Sequence, residues 1–280
     1  MNYQTLLVHL ELGHSNADLL RVVGDIADRF KSAVIGIAAC EPAQNIYGGV
    51  DIYSSYVFGD LVAIDHEEIR KQVTAAEAEF RGALEKHSKS IEWRSAVMSL
   101  TPSSYVATQA RCADLLITKA ATSASLDAWR HANTTDLIME AGRPVLIVPL
   151  HVDRLGLERI VVAWKDTREA RRAALDALPF LKLATHVAVV EIAPEAELAS
   201  ARVRVRDVVG WLKQHDVVAE AIPVAAAGAN ADQLNEIVNN HRADLIVAGA
   251  YGHSRFREWA LGGVTRDLLL GAEICSLVSR

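Results

Sequence analysis

The chain has 280 residues, of which 51% are apolar, and a formal net charge of −6. This acidic balance argues against a nucleic-acid-binding protein, which usually carries a basic stripe, and no stretch approaches the ~18 apolar residues of a membrane span. The three cysteines, Cys40, Cys112 and Cys275, show no C-x-x-C spacing and indicate neither a disulfide framework nor a zinc site. We expect a soluble cytoplasmic protein that binds neither nucleic acid nor a membrane.

The first half of the chain alternates short apolar runs with helical patterns. Strands are predicted at "LLVHLELG" (6–13), "VIGIAAC" (34–40), "ADLLITKA" (113–120) and "PVLIV" (144–148). An extra stretch, "EPAQNIYGGVDIYSSYVFGDLVAI" (41–64), separates the second strand from the second helix, and it is too apolar for a disordered linker. It is interpreted either as a packed loop or as a flap or partner contact.

The second half shows the same alternation more completely. Ala170, Ala174, Leu178 and Leu181 share one face of its first predicted helix, and Pro179 is expected to end or kink that helix in its last turn. The predicted strands are 159–164, 186–193, 217–225, 244–248 and 273–278, and the predicted helices are 168–182, 198–215, 230–241 and 264–270.

The two halves repeat one another. "ADLLITKA" (113–120) and "ADLIVAGA" (243–250) share four of their eight residues and lie about 130 positions apart. Short β-branched strands interleaved with helices imply parallel pairing and right-handed crossovers. The sequence therefore predicts an α/β protein of two tandem Rossmann-like domains, 1–150 and 151–280, each a five-stranded parallel sheet flanked by helices.

A glycine-rich segment, "GAYGHSRFREWALGGVT" (249–265), follows the fourth strand of the second half. Ligands of open parallel sheets bind beyond the carboxyl ends of the strands. In this prediction Gly249 and Gly252 let the chain turn with positive φ, and Gly262 and Gly263 let phosphate oxygens approach backbone N–H groups. Val264 and Thr265 then begin a helix whose first N–H groups are free to bind an anion.

The spacing of Gly249, Gly252 and Gly262 resembles the universal stress protein signature of Gly, two residues, Gly, nine residues, Gly, then Ser or Thr. Gly263 departs from it, because that position usually carries a hydroxyl. "VVAWKDTREARRAALDALPFL" (161–181) is similar to the first strand and helix of that family. Because both halves show the resemblance, the chain is identified as a tandem member with domains of the adenine nucleotide alpha hydrolase-like type.

The resemblance implies a site for ATP, or for the related ADP or AMP, in the second half. Its phosphate side comprises the glycines with Val264 and Thr265, and its adenine and ribose side comprises Ala163, Lys165 and a residue near Val190. Lys165 stands where the family usually has an acidic residue. Either Asp166 replaces that residue through a slip at the strand end, or Lys165 pairs with a phosphate as a point charge.

At the same interval the first half has Lys119, Thr122 and Ala132 in place of the three signature glycines, so it is predicted not to bind nucleotide in this way. His9 and His14 flank Glu11, yet they lack the tight spacing of metal ligands, and no metal is predicted.

No catalytic set is evident, so the predicted activity is regulatory nucleotide binding in a stress response, with an unidentified protein partner. A nucleotide-independent scaffold and a slow ATPase remain as alternatives. In this family the last strand commonly mediates pairing, so 144–148 and 274–278 are predicted to join the halves into an internal pseudo-dimer. Association of two chains into a homodimer is left open.

Overall fold

The architecture is an open sheet covered by helices on both faces. A computed structural model describes residues 2–42, 55–97, 101–120, 131–250 and 273–280, and for 55–62 it describes the backbone only. No helix in these ranges is long and apolar enough to cross a membrane. The predicted helix 264–270 lies outside the described residues.

The strands are short and rich in β-branched residues, and most are buried on both faces, as expected for parallel sheets covered by helices. In chain order the described strands are β1 Thr5–His9, β2 Ala33–Cys40, β3 Ile91–Val97, β4 Leu115–Lys119, β5 Val145–Val148, β6 Arg159–Ala163, β7 His186–Ala193, β8 Ala219–Ala225, β9 Leu245–Gly249 and β10 Cys275–Ser279.

A helix that covers a sheet packs onto it through an apolar stripe. In the first helix, for example, Leu19, Leu20, Val23 and Ile26 are buried. The described helices are α1 Ala17–Phe30, α2 Ser55–Leu84, α3 Pro102–Gln109, α4 Thr134–Glu140, α5 Arg168–Asp176, α6 Leu178–Leu181, α7 Leu198–Gln214 and α8 Asn230–His241.

The strand order is β3-β2-β1-β4-β5-β10-β9-β6-β7-β8 in one continuous sheet. Within β1–β5 and within β6–β10 all described neighbours are parallel, and β5 pairs with β10 antiparallel. The predicted α/β fold of two tandem five-stranded Rossmann-like domains is therefore confirmed. We call the elements β1–β5 the N-terminal half and the elements β6–β10 the C-terminal half.

The predicted contact between the two last strands is also present. Leu277 of β10 pairs with Leu146 of β5, and both side chains are fully buried. In the same core cluster, contacts among Tyr3, Phe30 and Phe180 also bring the halves together, with ring centroids 4.8 Å apart for Tyr3 and Phe180. Apolar burial across the join ties the two halves into one core.

A buried hydrogen bond crosses the same join. The Tyr3 hydroxyl donates to the carbonyl oxygen of Asp176 at 2.6 Å. Burial, followed by the negative charge of Asp176, raises the pKa of Tyr3 well above its ordinary value. Tyr3 therefore stays protonated and keeps its donor at neutral pH.

Two sequence predictions need correction in this part of the molecule. The segment 41–64 is not a separate insertion throughout, because α2 begins at Ser55 and its first three turns occupy the end of that segment; residues 43–54 lie outside the described residues. The predicted helix 168–182 is divided at Ala177 into α5 and α6, with Pro179 in the first turn of α6. The other predicted elements of the C-terminal half within the described ranges agree to within two residues.

Candidate functional site

The carboxyl ends of β6, β7 and β9 lie side by side in the C-terminal half. Ala163 is paired with Val190 of β7 on one side and with Ala248 of β9 on the other. The ladder continues one residue further, because the Trp164 N–H donates to the Val190 carbonyl oxygen at 2.7 Å. This edge is where the strand order reverses between β6 and β9, which is the position of ligand sites in doubly wound sheets.

The structure brings Ala163 and Val190 together, as the sequence-based site requires. Both side chains lie on the face of the sheet that also carries Ala248 and Ala250. Val190 is buried, and its carbonyl oxygen already accepts the Trp164 N–H, whereas Ala163 is half-buried. Ala163 is therefore the member of this pair that remains in reach of a ligand above the strand ends.

Gly249 has a different role from the predicted turn. It is the last residue of β9 and is not among the positive-φ glycines of the described residues. A Cβ at this position would lie 2.4 Å from the backbone nitrogen of Ala170 and 2.6 Å from the carbonyl carbon of Glu169. Only glycine lets β9 end directly against the first turn of α5, so close packing and not backbone rotation requires it.

The first turn of α5 is itself well defined. Thr167 is its N-cap, and the Thr167 Oγ1 accepts the Ala170 N–H at 3.2 Å. The N–H groups of a first helical turn lack intrahelical partners and favour negative charge nearby. The contact at Gly249 thus places a helix N-terminus at the edge where the glycine-rich segment leaves the sheet.

Lys165 and Asp166 lie between β6 and α5 and are both exposed. The Lys165 carbonyl oxygen accepts the Thr167 N–H at 2.6 Å. Asp166 pairs with Arg171 of α5, with 2.7 Å between Arg171 Nη1 and Asp166 Oδ1. Because both side chains of this ion pair are exposed to solvent, the pair holds Asp166 only weakly on the outer face of α5.

The remaining predicted phosphate-side residues lie outside the described residues, and the structure says nothing of their positions. They are Gly252, Gly262, Gly263, Val264 and Thr265.

In the N-terminal half, Lys119 ends β4 as Gly249 ends β9, and its side chain lies over the strand end. The Lys119 Nζ donates to the Ser15 carbonyl oxygen at 2.5 Å and lies 3.7 Å from the Glu11 Oε2. The connection from β1 to α1, 10–16, is longer than the matching connection 164–167, and this extra length leaves room for the lysine. Ala132 is half-buried, and Thr122 lies outside the described residues.

The 10–16 connection is held in place by Asn16, which is completely buried. The Asn16 Nδ2 donates to the Glu11 carbonyl oxygen at 3.0 Å, and the Asn16 backbone N–H donates to the Glu79 carboxylate at 3.0 Å. Polar groups of the N-terminal half itself therefore occupy the region above the carboxyl ends of β1 and β4. Sequence reasoning missed this network, although a lysine that ends an apolar strand is a visible signal.

His9 is buried beneath this network. Its Nδ1 is 3.0 Å from the Thr118 Oγ1, and burial, followed by the nearby His131 and Lys119, lowers the pKa of His9 to about 4. His14 is exposed. Among the described residues there is no cluster of three or more His, Cys, Asp or Glu side chains able to hold a metal ion.

The low pKa of His9 predicts a stability that depends on pH. Unfolding returns this pKa from about 4 to its ordinary value near 6.5, so the unfolded chain binds the proton more tightly. The free energy of unfolding should be steady above pH 6.5 and fall by about 1.4 kcal/mol per pH unit from there toward pH 4 because of this one group.

Urea denaturation of the wild type, His9→Gln and Val218→Ala at several pH values measures this contribution. His9→Gln should lose the part of the slope that corresponds to one proton in that window, and Val218→Ala, which removes no titratable group from an exposed position, should keep the wild-type slope. Equal slopes in all three proteins would show that His9 titrates normally in the folded state.

Comparison with solved structures finds this fold at low sequence identity. A universal stress protein from Archaeoglobus fulgidus DSM 4304 matches with a TM-score of 0.70 and 11% identity, over 100% of this chain and 99% of that chain. A functionally unknown protein from Pseudomonas aeruginosa PAO1 matches with a TM-score of 0.60 and 16% identity, over 99% of this chain and 92% of that chain. No protein-family model and no curated protein matches the chain. The chain thus has the fold of a full-length universal stress protein, with two Rossmann-like domains in tandem.

Proposed function

We propose that this chain is a tandem universal stress protein, with domains 1–150 and 151–280, whose C-terminal half binds an adenine nucleotide. ATP is the first candidate, and ADP and AMP are related ones. The proposal rests on one observation, the difference between the two matching strand ends. Gly249 lets the first turn of α5, whose N–H groups favour an anion, pack against the end of β9, whereas Lys119 covers the end of β4 with its own ammonium group.

In the proposed complex the nucleoside lies over the ends of β6 and β7, next to Ala163 and above Val190. The phosphates extend toward the segment that follows Gly249, where Gly252, Gly262 and Gly263 expose backbone N–H groups. Val264 and Thr265 add the first N–H donors of a helix, which favour an anion. Lys165, exposed at the end of β6, supplies a positive charge on the same side.

The proposed consequence of binding is regulatory. Nucleotide bound beside the end of β9 alters the surface offered to a protein partner, and no covalent step is needed. We place this activity in the cytoplasm, where adenine nucleotides are available, and in a stress response.

The test is calorimetric titration of the nucleotide-free, full-length protein with ATP, beside Gly252→Glu and Thr122→Glu. Thr122 holds the matching position in the first half, so it is the matched control. A carboxylate beside the phosphates costs several kcal/mol, so Gly252→Glu should weaken binding by about a hundredfold or more. Thr122→Glu should bind like the wild type, near one site per chain.

Other results point to the other functions. Loss of binding in Thr122→Glu with retention in Gly252→Glu would move the site to the N-terminal half. Absence of binding at millimolar ATP would contradict the proposal and favour a scaffold that acts through protein contacts. Phosphate release that is lost in Gly252→Glu would identify a slow ATPase.

A further inference from the structure

Four arginines line one pocket where the two halves meet. The pocket has a volume of about 420 Å³ and is lined by Arg143, Arg168, Arg172 and Arg280 together with the end of α4. Arg143 precedes β5, Arg280 follows β10, and Arg168 and Arg172 lie on the first turns of α5. Four guanidinium groups on one pocket contrast with the formal net charge of −6 of the whole chain.

The antiparallel join explains why these arginines come together. Val145 at the start of β5 pairs with Val278 near the end of β10, so Arg143, two residues before β5, and Arg280, directly after β10, lie at the same edge. The α5 helix packs over β9 and β10 and brings Arg168 and Arg172 to that edge. Both halves therefore contribute to the pocket, and neither half forms it alone.

Two of the four guanidinium groups have carboxylate partners. Arg168 pairs with Glu169, and Arg172 pairs with Asp176 at 2.8 Å. Asp176 is itself buried and also accepts the Ser279 hydroxyl at 3.0 Å. These two carboxylates fix Arg168 and Arg172 in place and leave the charges of the other two arginines uncompensated.

Arg143 and Arg280 donate only to backbone carbonyl oxygens among the described residues. Arg143 reaches the carbonyl oxygens of Ala110 and Arg111 at 3.4 and 3.3 Å, and Arg280 reaches that of Met139 at 3.1 Å. Neither makes a salt bridge to a described carboxylate. Their charges are thus oriented by neutral acceptors, with donors left over for an anion.

At the matching position of the N-terminal half, the positive charge of the arginine is neutralised. Arg21 is the fifth residue of α1, as Arg172 is the fifth of α5. Two carboxylates neutralise Arg21, those of Asp18 at 2.7 Å and Asp153 at 3.1 Å. Among the described residues, the position of the N-terminal half that matches Arg172 therefore carries no surplus of positive charge.

We infer that the arginine pocket binds an anion that carries two or more phosphate groups. Guanidinium groups bind phosphate oxygens through paired, charge-assisted hydrogen bonds, which makes arginine the preferred side chain for this purpose. The N-terminus of α5 adds a favourable dipole at Arg168. The ligand is inorganic pyrophosphate or the phosphate chain of a nucleotide, and it bridges the two halves. Arg280 follows Ser279, which pairs with Gly249, so the pocket lies beside the end of β9, and its arginines are residues other than the predicted phosphate-side glycines.

The test is calorimetric titration of the full-length protein with inorganic pyrophosphate at low and at physiological salt. The double variant Arg143→Gln/Arg280→Gln removes the two uncompensated charges, and Arg21→Gln is the matched control. We expect the double variant to bind at least about tenfold more weakly and the control to bind like the wild type. Binding in the wild type should weaken as salt rises, because the contacts are between charges at a solvated surface.

Competition in the Gly252→Glu protein assigns the source of the phosphates. If ATP displaces pyrophosphate from this variant and adenosine does not, the ligand is the phosphate chain of a nucleotide. If ATP does not compete, the ligand is inorganic pyrophosphate. Failure of the wild type to bind pyrophosphate at low salt would overturn the inference. So would equal affinity in the wild type and the double variant, or loss of pyrophosphate binding in Gly252→Glu, which would move the anion to the glycine-rich segment.

Discussion

Gly249→Val is expected to lower the free energy of unfolding by about 4 kcal/mol or more, because the new side chain has no room. Even its first carbon would lie 2.4 Å from the Ala170 nitrogen and 2.6 Å from the Glu169 carbonyl carbon. Both are backbone atoms of the first turn of α5, so no side-chain rotation relieves the overlap. Valine is itself favourable in strands, so the loss cannot come from the strand preference of β9.

Urea denaturation of Gly249→Val and Gly210→Ala tests whether close packing against α5 requires glycine at position 249. Gly210 lies within α7, and a Cβ there meets nothing within 4 Å. Gly210→Ala should therefore stabilise the protein by about 0.5 to 1 kcal/mol, since alanine favours a helix. A Gly249→Val protein as stable as the wild type would mean that β9 and α5 do not pack as closely as described.

Leu277→Ala is expected to cost about 3 to 5 kcal/mol, and the effect should reach both halves. Leu277 is fully buried in β10, pairs with Leu146 of β5 and belongs to a core cluster that contains residues of both halves. Removing its side chain leaves a cavity at the join, which neighbouring strands cannot close without shifting the sheet. The wild type should unfold in a single transition because the two halves share this core.

The measurement is urea denaturation followed by far-ultraviolet circular dichroism and by tryptophan fluorescence. The chain has five tryptophans, so the difference in fluorescence between the parent protein and Trp93→Phe reports on one residue of the N-terminal half, and the difference for Trp164→Phe reports on one residue of the C-terminal half. Val218→Ala is the control, because Val218 is 87% exposed and its replacement should change stability by less than about 0.5 kcal/mol. Two separate transitions in the wild type would show that the halves fold independently of the β5–β10 contact.

The sequence predicted the order of the elements well because the signals for them are local. Runs such as "DLIVA" before a glycine and the face formed by Ala170, Ala174 and Leu178 carry the strand and helix periods directly. The pairing of 144–148 with 274–278 was predicted from the family resemblance and is present as the β5–β10 contact. The start of α2 at Ser55 was missed, because aromatic residues around it were interpreted as part of an insertion.

The chemistry around the strand ends was harder to predict because it depends on distant contacts. Nothing near Gly249 in the sequence shows that α5 will lie against it, and the positive-φ role was therefore wrong. The path of Lys119 back to Ser15 depends on the length of the 10–16 connection in space. Cys112, which precedes a strand, is exposed beside Arg94, since a short 3-10 turn places it at the surface.

The antiparallel contact of β5 with β10 also makes the two ends of the molecule different from one another. Because the strands within each half are parallel, the carboxyl ends of β1–β5 and those of β6–β10 lie at opposite borders of the ten-stranded sheet. Lys119 lies at one border and Gly249 at the other, so the two ends of the molecule are chemically unlike. A protein that recognises the C-terminal border therefore meets each chain in a single orientation, which a symmetric pair of identical domains does not impose.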